Sequence, residues 1–382
     1  MASMTGTTTT GTGSIPASSI KTDMSQLYEL EADATPLVAL TQKLSKVRTV
    51  DNPQFYALEL RPLAQQTTSA AYLVGDTSIT LTDASIFNVD DRIINLRTGE
   101  NLLITAINYG SNAITVTRAV CSTAAAAGNL NDVIMRLGQA KPEASSMPVA
   151  VLAQETNHYN FTQIFREAYQ IAGTAKATAQ YTGDREKMQI AQCMRKVKGD
   201  MEMCGFFGER GILNSATTPR RFSSGLRAKI VTNSYNPAGT MTFAQFSDNV
   251  LAAAGRYGSS EKLLFAGENI IRALDYYGQQ KLVLYSDDTT LGFKAKRVQS
   301  SFVDLIVVRH KLFRGTSLAD KGFIVDPANM RRVVLRGRDM HWEKNIQAPD
   351  LDGVAGSILA EVGWEFTIEE THMYLAGITG GA

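Results

Sequence analysis

One predicted helix constrains the fold of this 382-residue chain more than any other segment. Between Asp184 and Phe207, apolar residues recur at spacings of four, three, four and three, at Ile190, Met194, Val197, Met201 and Cys204. This spacing places them in one narrow stripe along an α-helix about 36 Å long. Because the stripe buries nothing by itself, the helix needs a surface along which to lie.

The segments before this helix predict a tail, a strand and a small β-module. Residues 1 to about 22 are rich in Thr, Ser and Gly, which favours a disordered tail or an arm that orders on a partner. Tyr56, Leu58 and Leu60 then alternate with their neighbours as in a strand. From Thr67 to Gly138, short alternating runs separated by the turn sequences RTGE and NYGSN predict an inserted antiparallel β-module.

The C-terminal half alternates helices and strands. Thr242 and Gln245 form a capping box that starts a helix predicted to run from Phe243 to Tyr257 and to end at Gly258. A second helix is predicted near ENIIRALDYYG, and strands at KLLFAG, DLIVV, GFIVD, RRVVLR and within AEVGWEFTIEETHMYLA. The predicted fold class is therefore α+β, with a β insertion upstream.

Catalytic and cofactor signatures are missing from the sequence. It has no GxSxG elbow and no phosphate-binding glycine loop, and its four histidines have no metal-ligand spacing, so no catalytic, cofactor or metal site is predicted. Glu369 and Glu370 beside His372 fit an alternating strand face better than a metal site, and the DLDG sequence from Asp350 to Gly353 fits a polar turn.

Net charge, cysteine spacing and hydropathy limit the kinds of partner and the cellular compartment that the sequence indicates. The formal net charge of +1 provides no global field that would hold a polyanion. Cys121, Cys193 and Cys204 lack CxxC spacing, so neither a disulfide framework nor a zinc site is expected. Neither a signal peptide nor a bilayer-spanning apolar run is present, so we expect a soluble protein without a membrane partner, made inside the cell.

Several basic runs could contact phosphates or form ion pairs. They are FKAKR (Lys294, Lys296, Arg297), RHKLFR (Arg309, Lys311, Arg314) and RRVVLRGR (Arg331, Arg332, Arg336, Arg338). Because acids are nearly as numerous as bases, charged strand faces and salt bridges are favoured over phosphate contacts. Arg220 and Arg221 in ATTPRRFSSGL also match a short kinase pattern, but a pattern of this length arises easily by chance.

The order of the segments resembles the major capsid protein family of tailed bacteriophages, in the branch with a small β insertion. The resemblance rests on five segments and spans about residue 32 to the C-terminus: NFTQIFREAYQIAGTAKATAQYTG, MQIAQCMRKVKGDMEMCGFFGE, ATTPRRFSSGL, FIVDP with RRVVLRGRDMHWEKN, and AEVGWEFTIEETHMYLAGI. It implies the Hong Kong 97-type coat fold and a non-enzymatic subunit that assembles with copies of itself into hexamers, pentamers and an icosahedral shell around double-stranded DNA.

The resemblance also implies a division of the chain. Residues 1–50 would be a flexible N-terminal arm, residues 51–180 an extended loop that includes the β-module at 68–137, residues 181–224 a peripheral domain with the spine helix, residues 225–335 an axial domain, and residues 336–382 the return to the peripheral domain. The stretch from Pro219 to Leu226 would be a turn between domains. Arg220 and Arg221 would then pair with carboxylates across a subunit boundary.

Partners and alternatives follow from the same resemblance. Scaffolding, portal and cement proteins are possible partners, DNA would be contacted weakly and without sequence preference, and the protein would reside in the virion after assembly in the host cytoplasm. The N-terminus is too short and too poorly patterned for a fused scaffold, and no Lys–Asn pair stands out for cross-linking. Two alternatives are an encapsulin-type nanocompartment and an adhesin whose β-module binds carbohydrate. Against the adhesin, the module has no Trp and only Tyr72, Phe87 and Tyr109 as ring-stacking residues, which favours a scaffolding or decorating role.

Overall fold

The computed structural model describes residues 35–59, 65–139, 141, 143, 156–178, 184–214, 217–280, 285–288 and 295–381. The predicted tail of residues 1–22 lies outside them. The chain divides into two compact units: the main unit, Met1–Ala57 with Tyr159–Ala382, and the insert unit, Leu58–His158.

The helices are α1 (Pro36–Lys43), α2 (Gly173–Ala177), α3 (Arg185–Phe207), α4 (Leu226–Lys229), α5 (Phe243–Gln245), α6 (Ala252–Ala254) and α7 (Glu268–Gln280). The long helix predicted from the apolar stripe is thus α3, and the Asp184 side chain caps it by accepting the Glu186 N–H. Both bonds of the Thr242/Gln245 capping box form at α5. A π-helical stretch, Phe246–Leu251, continues to α6, which ends three residues before the predicted Tyr257.

The strands are β1 (Val47–Val50), β2 (Gln54–Glu59), β3 (Gln65–Thr67), β4 (Ser78–Thr80), β5 (Asp91–Asn95), β6 (Asn101–Asn108), β7 (Ala113–Thr117), β8 (Val133–Gln139), β9 (Thr156–Phe161), β10 (Gln163–Ala172), β11 (Gly211–Leu213), β12 (Arg220–Phe222), β13 (Ser234–Tyr235), β14 (Gly239–Met241), β15 (Glu261–Ala266), β16 (Tyr285–Asp288), β17 (Ala295–Val298), β18 (Asp304–Arg309), β19 (Gly322–Val325), β20 (Met330–Leu335), β21 (His341–Glu343), β22 (Gly353–Phe366), β23 (Met373–Leu375) and β24 (Ile378–Gly381). Short 3₁₀ helices lie at Val120–Ser122, Pro327–Asn329 and Glu369–Thr371.

A five-stranded sheet supports α3 in the main unit. Its order is β1-β20-β22-β10, and β21 also pairs with β22. The long strand β22 is buried along most of its length, and β10 pairs with it antiparallel from Gln163–Val362 to Ala172–Gly353. The helix α3 packs on β10 and β22, and Val197, Met201 and Trp364 lie together in the resulting core. This sheet is the surface that the narrow stripe requires.

A seven-stranded sheet forms the second core of the main unit, in the order β13-β23-β19-β15-β18-β17-β16. The central strand β15 is parallel to β18 and antiparallel to β19. The apolar sides of α7 and of the helix that begins at α5 contribute Ile270, Leu274, Phe246 and Val250 to this core. Short ribbons, β2–β9, β11–β12 and β14–β24, complete the described strands.

The insert unit is a six-stranded antiparallel sheet in the order β3-β8-β5-β6-β7-β4. An antiparallel bridge between Thr68 and Leu81 joins the two ends of this order, and the Thr82 N–H donates to the Thr67 carbonyl at 2.9 Å. The sheet therefore closes into a small barrel. Its interior holds the inward side chains of the alternating strands: Ile79, Leu81, Ile93, Leu102, Ile104, Ile114, Val116 and Ile134.

Candidate assembly surfaces

A buried carboxylate joins α1 to α3. Glu202 accepts the backbone N–H groups of Leu37 and Val38 at 2.7 and 2.8 Å, one on each carboxylate oxygen. His310 Nε2 lies 3.0 Å from Oε1 of the same carboxylate, and both side chains are fully buried. The first N–H groups of a helix have no partner inside the helix and carry partial positive charge, so a carboxylate is favourable there. Glu202 thereby fixes the start of α1 on the main unit.

The residues of the α3 stripe serve packing. Val197 and Met201 are fully buried, while Ile190, Met194 and Cys204 are partly buried beside them. Burial raises the pKa of the Cys204 thiol to about 12, so this thiol stays protonated near neutral pH. The stripe thus belongs to the core, and assembly surfaces must lie elsewhere.

Arg220 and Arg221 lie on an exposed β-hairpin formed by β11 and β12. Arg220 pairs with Leu213 and Arg221 with Ile212 across the two strands, so the stretch predicted as a turn between domains contains a short strand at these residues. Ile212, Leu213 and Phe222 are exposed, Leu213 to 57%. Within the part of the chain that the structure describes, neither arginine has an acidic partner.

The base of this hairpin is held firmly. The Ser223 N–H donates to Gln163 Oε1 at 3.1 Å, and the Ser224 N–H donates to Asn160 Oδ1 at 2.8 Å. At Gly225 a Cβ atom would lie 2.4 Å from the Cys204 carbonyl oxygen, so only glycine permits this approach to the end of α3. The exposed side chains of the hairpin therefore project from a fixed base.

An exposed aromatic group lies close to the hairpin base. The Tyr159 ring centroid lies 6.3 Å from that of Tyr56 and 5.8 Å from that of Phe161. The Arg210 guanidinium lies 3.9 Å from the Tyr159 centroid and donates to the Tyr159 carbonyl at 2.8 Å. Tyr56 is half exposed. Amphipathic rings and arginine on an open surface are typical of the centre of a protein interface.

The insert unit does not present the three rings that a carbohydrate site would use. Tyr72 and Phe87 are buried in the barrel core, and only Tyr109 of the three is exposed. The Tyr109 hydroxyl donates to the Phe87 carbonyl at 3.2 Å. A sugar ring therefore cannot stack on Tyr72 or Phe87, which weakens the adhesin alternative further.

The basic runs mostly form ion pairs. Arg297 contacts both Glu261 and Asp304, and Arg309 contacts Glu268 at 2.7 Å. Similar pairs involve Arg332 with Asp339, Arg336 with Asp51, and Arg338 with Glu361. Arg331 is exposed, and the side chains of Lys294 and Lys296 lie outside the described residues. The expected salt bridges are therefore present at these arginines.

A buried polar cluster at one end of β15 serves structure. Lys262 donates to the carbonyls of Tyr257 and Thr371, each at 2.7 Å, and burial lowers its pKa to about 8. His372 Nδ1 accepts the Asp326 N–H at 3.2 Å, and burial lowers the pKa of His372 to about 4. The strand face expected here is wrong, because a 3₁₀ helix precedes His372. No group of His, Cys, Asp and Glu in the described residues is arranged to hold a metal ion.

Comparison with known proteins identifies the family. The sequence matches the family described as SU10 major capsid protein over residues 3–379. The chain belongs to this family. The major capsid protein of Pseudomonas phage PaMx41 is 23% identical over 327 residues, which cover 81% of this chain and 77% of that relative. The predicted phage coat protein is thereby confirmed, and membership of a capsid family implies a structural role in the virion.

Solved capsids share the fold of this capsid protein. The capsid of a native GTA particle matches with a TM-score of 0.50 at 9% identity, and the match covers 96% of this chain and 96% of that one. A chain of Microbacterium phage Oxtober96 has a TM-score of 0.48 at 9% identity, covering 95% of this chain and 96% of that one. The likeness to the GTA capsid confirms the predicted α+β, Hong Kong 97-type fold. In the described part of the chain, no helix combines the length and apolar composition needed to cross a membrane.

Proposed function

We propose that copies of this chain assemble as hexamers and pentamers into an icosahedral shell that encloses double-stranded DNA. One observation carries the proposal: the main unit exposes apolar and arginine side chains on elements whose backbone is fixed. Tyr56 lies beside Tyr159, whose ring the Arg210 guanidinium covers. Leu213 and Phe222 accompany the unpaired Arg220 and Arg221 on the hairpin. Rigid exposed surfaces of this composition favour association, because little conformational entropy is lost when they are covered.

Each segment of the chain has its own role in the proposed shell. Residues 1–50 act as the arm, and residues 51–180 act as the loop that extends over a neighbouring subunit and carries the insert at 68–137. Residues 181–224 and 336–382 form the peripheral domain, and residues 225–335 form the axial domain that meets its copies at the centre of a capsomer. Packing of α3 against β22 supports grouping residues 181–224 with residues 336–382 in one rigid body.

Arg220 and Arg221 contact a neighbouring subunit in this proposal. Their guanidinium groups lie on an anchored hairpin and lack acidic partners in the described part of the chain. Carboxylates of another copy can therefore form ion pairs with them. Arginine is suited to this role because its planar donors match a carboxylate in two-point geometry.

Contact with DNA is weak in the proposed shell. The formal net charge is +1, and most arginines of the basic runs already pair with acids of the same chain. A lining that neutralises few phosphates releases few counterions and therefore binds DNA weakly. Scaffolding, portal and cement proteins complete the proposed set of partners. The subunit resides in the host cytoplasm before assembly and performs no catalysis.

Expression of the chain tests the proposal. The protein is produced alone and together with candidate scaffolding proteins, then sedimented and imaged by electron microscopy. Closed shells built from hexamers and pentamers are the expected result. A subunit that stays monomeric under every condition, without capsomers or shells, would contradict the proposed function.

A further inference from the structure

We infer that the β11–β12 hairpin of one copy docks on the loop formed by residues 345–352 of a second copy. This inference rests on the proposed shell function and names the carboxylates that Arg220 and Arg221 contact. Those carboxylates are Asp350 and Asp352. Charge, exposed apolar area and the attachment of the two segments to opposite ends of β10 support this contact.

The hairpin combines positive charge with apolar area. Arg220 and Arg221 have no acidic partner in the described residues, and they lie across the ribbon from Leu213 and Ile212. Phe222 is also exposed. An exposed acid, Glu209, precedes the hairpin beside Arg210, whose guanidinium covers the Tyr159 ring.

The loop of residues 345–352 shows the complementary combination. Asp350 and Asp352 are exposed, and neither carboxylate has a cationic partner among the described side chains. Ile346 and Leu351 are exposed beside them, at 44% and 37%. The sequence DLDG in this loop was expected to be only a polar turn, yet it pairs negative charge with apolar side chains.

Hydrogen bonds within the loop and to its neighbours hold the loop backbone in place. The Ile346 N–H donates to the Ala355 carbonyl at 3.0 Å, and the Leu351 N–H donates to the Ala348 carbonyl at 3.0 Å. The Gly173 N–H donates to the Asp352 carbonyl at 3.1 Å. The loop is thus a shaped surface that needs little ordering on contact.

Cations near the loop are already engaged. Lys344 Nζ lies 4.1 Å from the centre of the Trp342 ring, and Arg166 pairs with Glu343 at 2.8 Å. Lys176, on α2, lies 3.3 Å from Glu186. The carboxylates of Asp350 and Asp352 are therefore left for cations from outside the chain.

The two segments lie at opposite ends of β10 and cannot meet within one chain. The hairpin base bonds to Gln163, the first residue of β10. The loop bonds to Gly173, which follows the last residue of β10. Ten strand residues span about 30 Å, so contact requires two copies arranged head to tail. Such heterologous contacts produce rings when the rotation between copies closes on itself.

Charge reversal and charge exchange test this contact in the full chain. One variant carries Arg220→Glu with Arg221→Glu, a second carries Asp350→Arg with Asp352→Arg, and a third carries all four changes. Each reversal places like charges in the contact and should lower the yield of sedimenting shells by about tenfold or more, and the fourfold exchange should restore it. Conservative replacement, Arg220→Lys with Arg221→Lys, keeps the charge and should retain most of the yield.

Arg220, Asp350 and Asp352 are exposed and Arg221 is partly exposed, so the variants should fold, and fluorescence-monitored denaturation checks that each one does. Either reversal assembling as well as wild type would overturn the inference, as would a folded fourfold variant that fails to assemble; both results leave the proposed function intact. A wild-type chain that forms no shell with or without scaffolding would instead overturn the proposed function, and the inference with it.

Discussion

Removal of the Glu202 carboxylate should destabilise the main unit strongly. In Glu202→Ala, the N–H groups of Leu37 and Val38 and the His310 Nε2 lose their shared acceptor in a fully buried site. Each unpaired buried group costs about 1–3 kcal/mol, but some of them will find water when α1 loosens. We therefore expect the free energy of unfolding to fall by about 3–5 kcal/mol. Glu202→Gln keeps one acceptor oxygen and a similar volume, so its loss should be about 1–3 kcal/mol.

Tryptophan fluorescence isolates the effect of this substitution. The two tryptophans of the chain, Trp342 and Trp364, both belong to the main unit, so denaturant unfolding followed by their emission does not report on the insert unit. Glu209→Ala is the matched control, because Glu209 is exposed just beyond α3 and its removal should change the free energy of unfolding by less than about 0.5 kcal/mol. If Glu202→Ala unfolded within 0.5 kcal/mol of wild type, the account of α1 docking would be refuted.

Three further predictions use the same assay or sedimentation. Gly205→Ala places a Cβ atom 2.9 Å from both Leu37 and Trp364 and should destabilise the main unit by about 1–3 kcal/mol. Gly199→Ala has open space around it on α3 and should stabilise the main unit by up to about 1 kcal/mol. Equal effects of the two substitutions would contradict this packing. The folded pKa of His372, about 4, lies below its ordinary value of 6.5, so the unfolded chain takes up the proton first and stability should fall by about 3 kcal/mol as pH drops from 7 to 4. In His372→Asn, whose amide oxygen can replace Nδ1, this fall should become smaller, and an unchanged slope would point to another group. Arg220→Ala with Arg221→Ala should impair shell assembly more than DNA binding by the free subunit, and normal stable shells would argue against the interface role.

The regular elements of this capsid protein could be predicted because their signals are local. The stripe of α3 repeats over five positions, and the Thr242/Gln245 capping box involves residues only three apart. Several strands of the insert unit alternate buried and outward side chains, as at Ile114 and Val116. Each of these patterns follows from backbone geometry, and the tertiary contacts of the folded chain agree with it.

The candidate surfaces depend on contacts between distant residues, which a single sequence does not show. The hairpin of Arg220 and Arg221 is anchored by Gln163, sixty residues before Ser223. Glu202 interacts with Leu37 across 165 positions, and the only local hint is an acid beside the apolar stripe of α3. Tertiary anchoring turned a segment with a proline and two arginines into a strand where local propensity indicated a turn.

Closure of the insert barrel bears on the solubility of densely assembled subunits. The bridge between Thr68 and Leu81 leaves the six described strands of the barrel without a free edge. A shell holds many copies of this module at a very high local concentration, at which open strand edges would pair between copies and form aggregates. A closed barrel avoids this hazard whatever its outer side chains are. Its outward positions are thus free to vary in sequence without promoting intermolecular sheets.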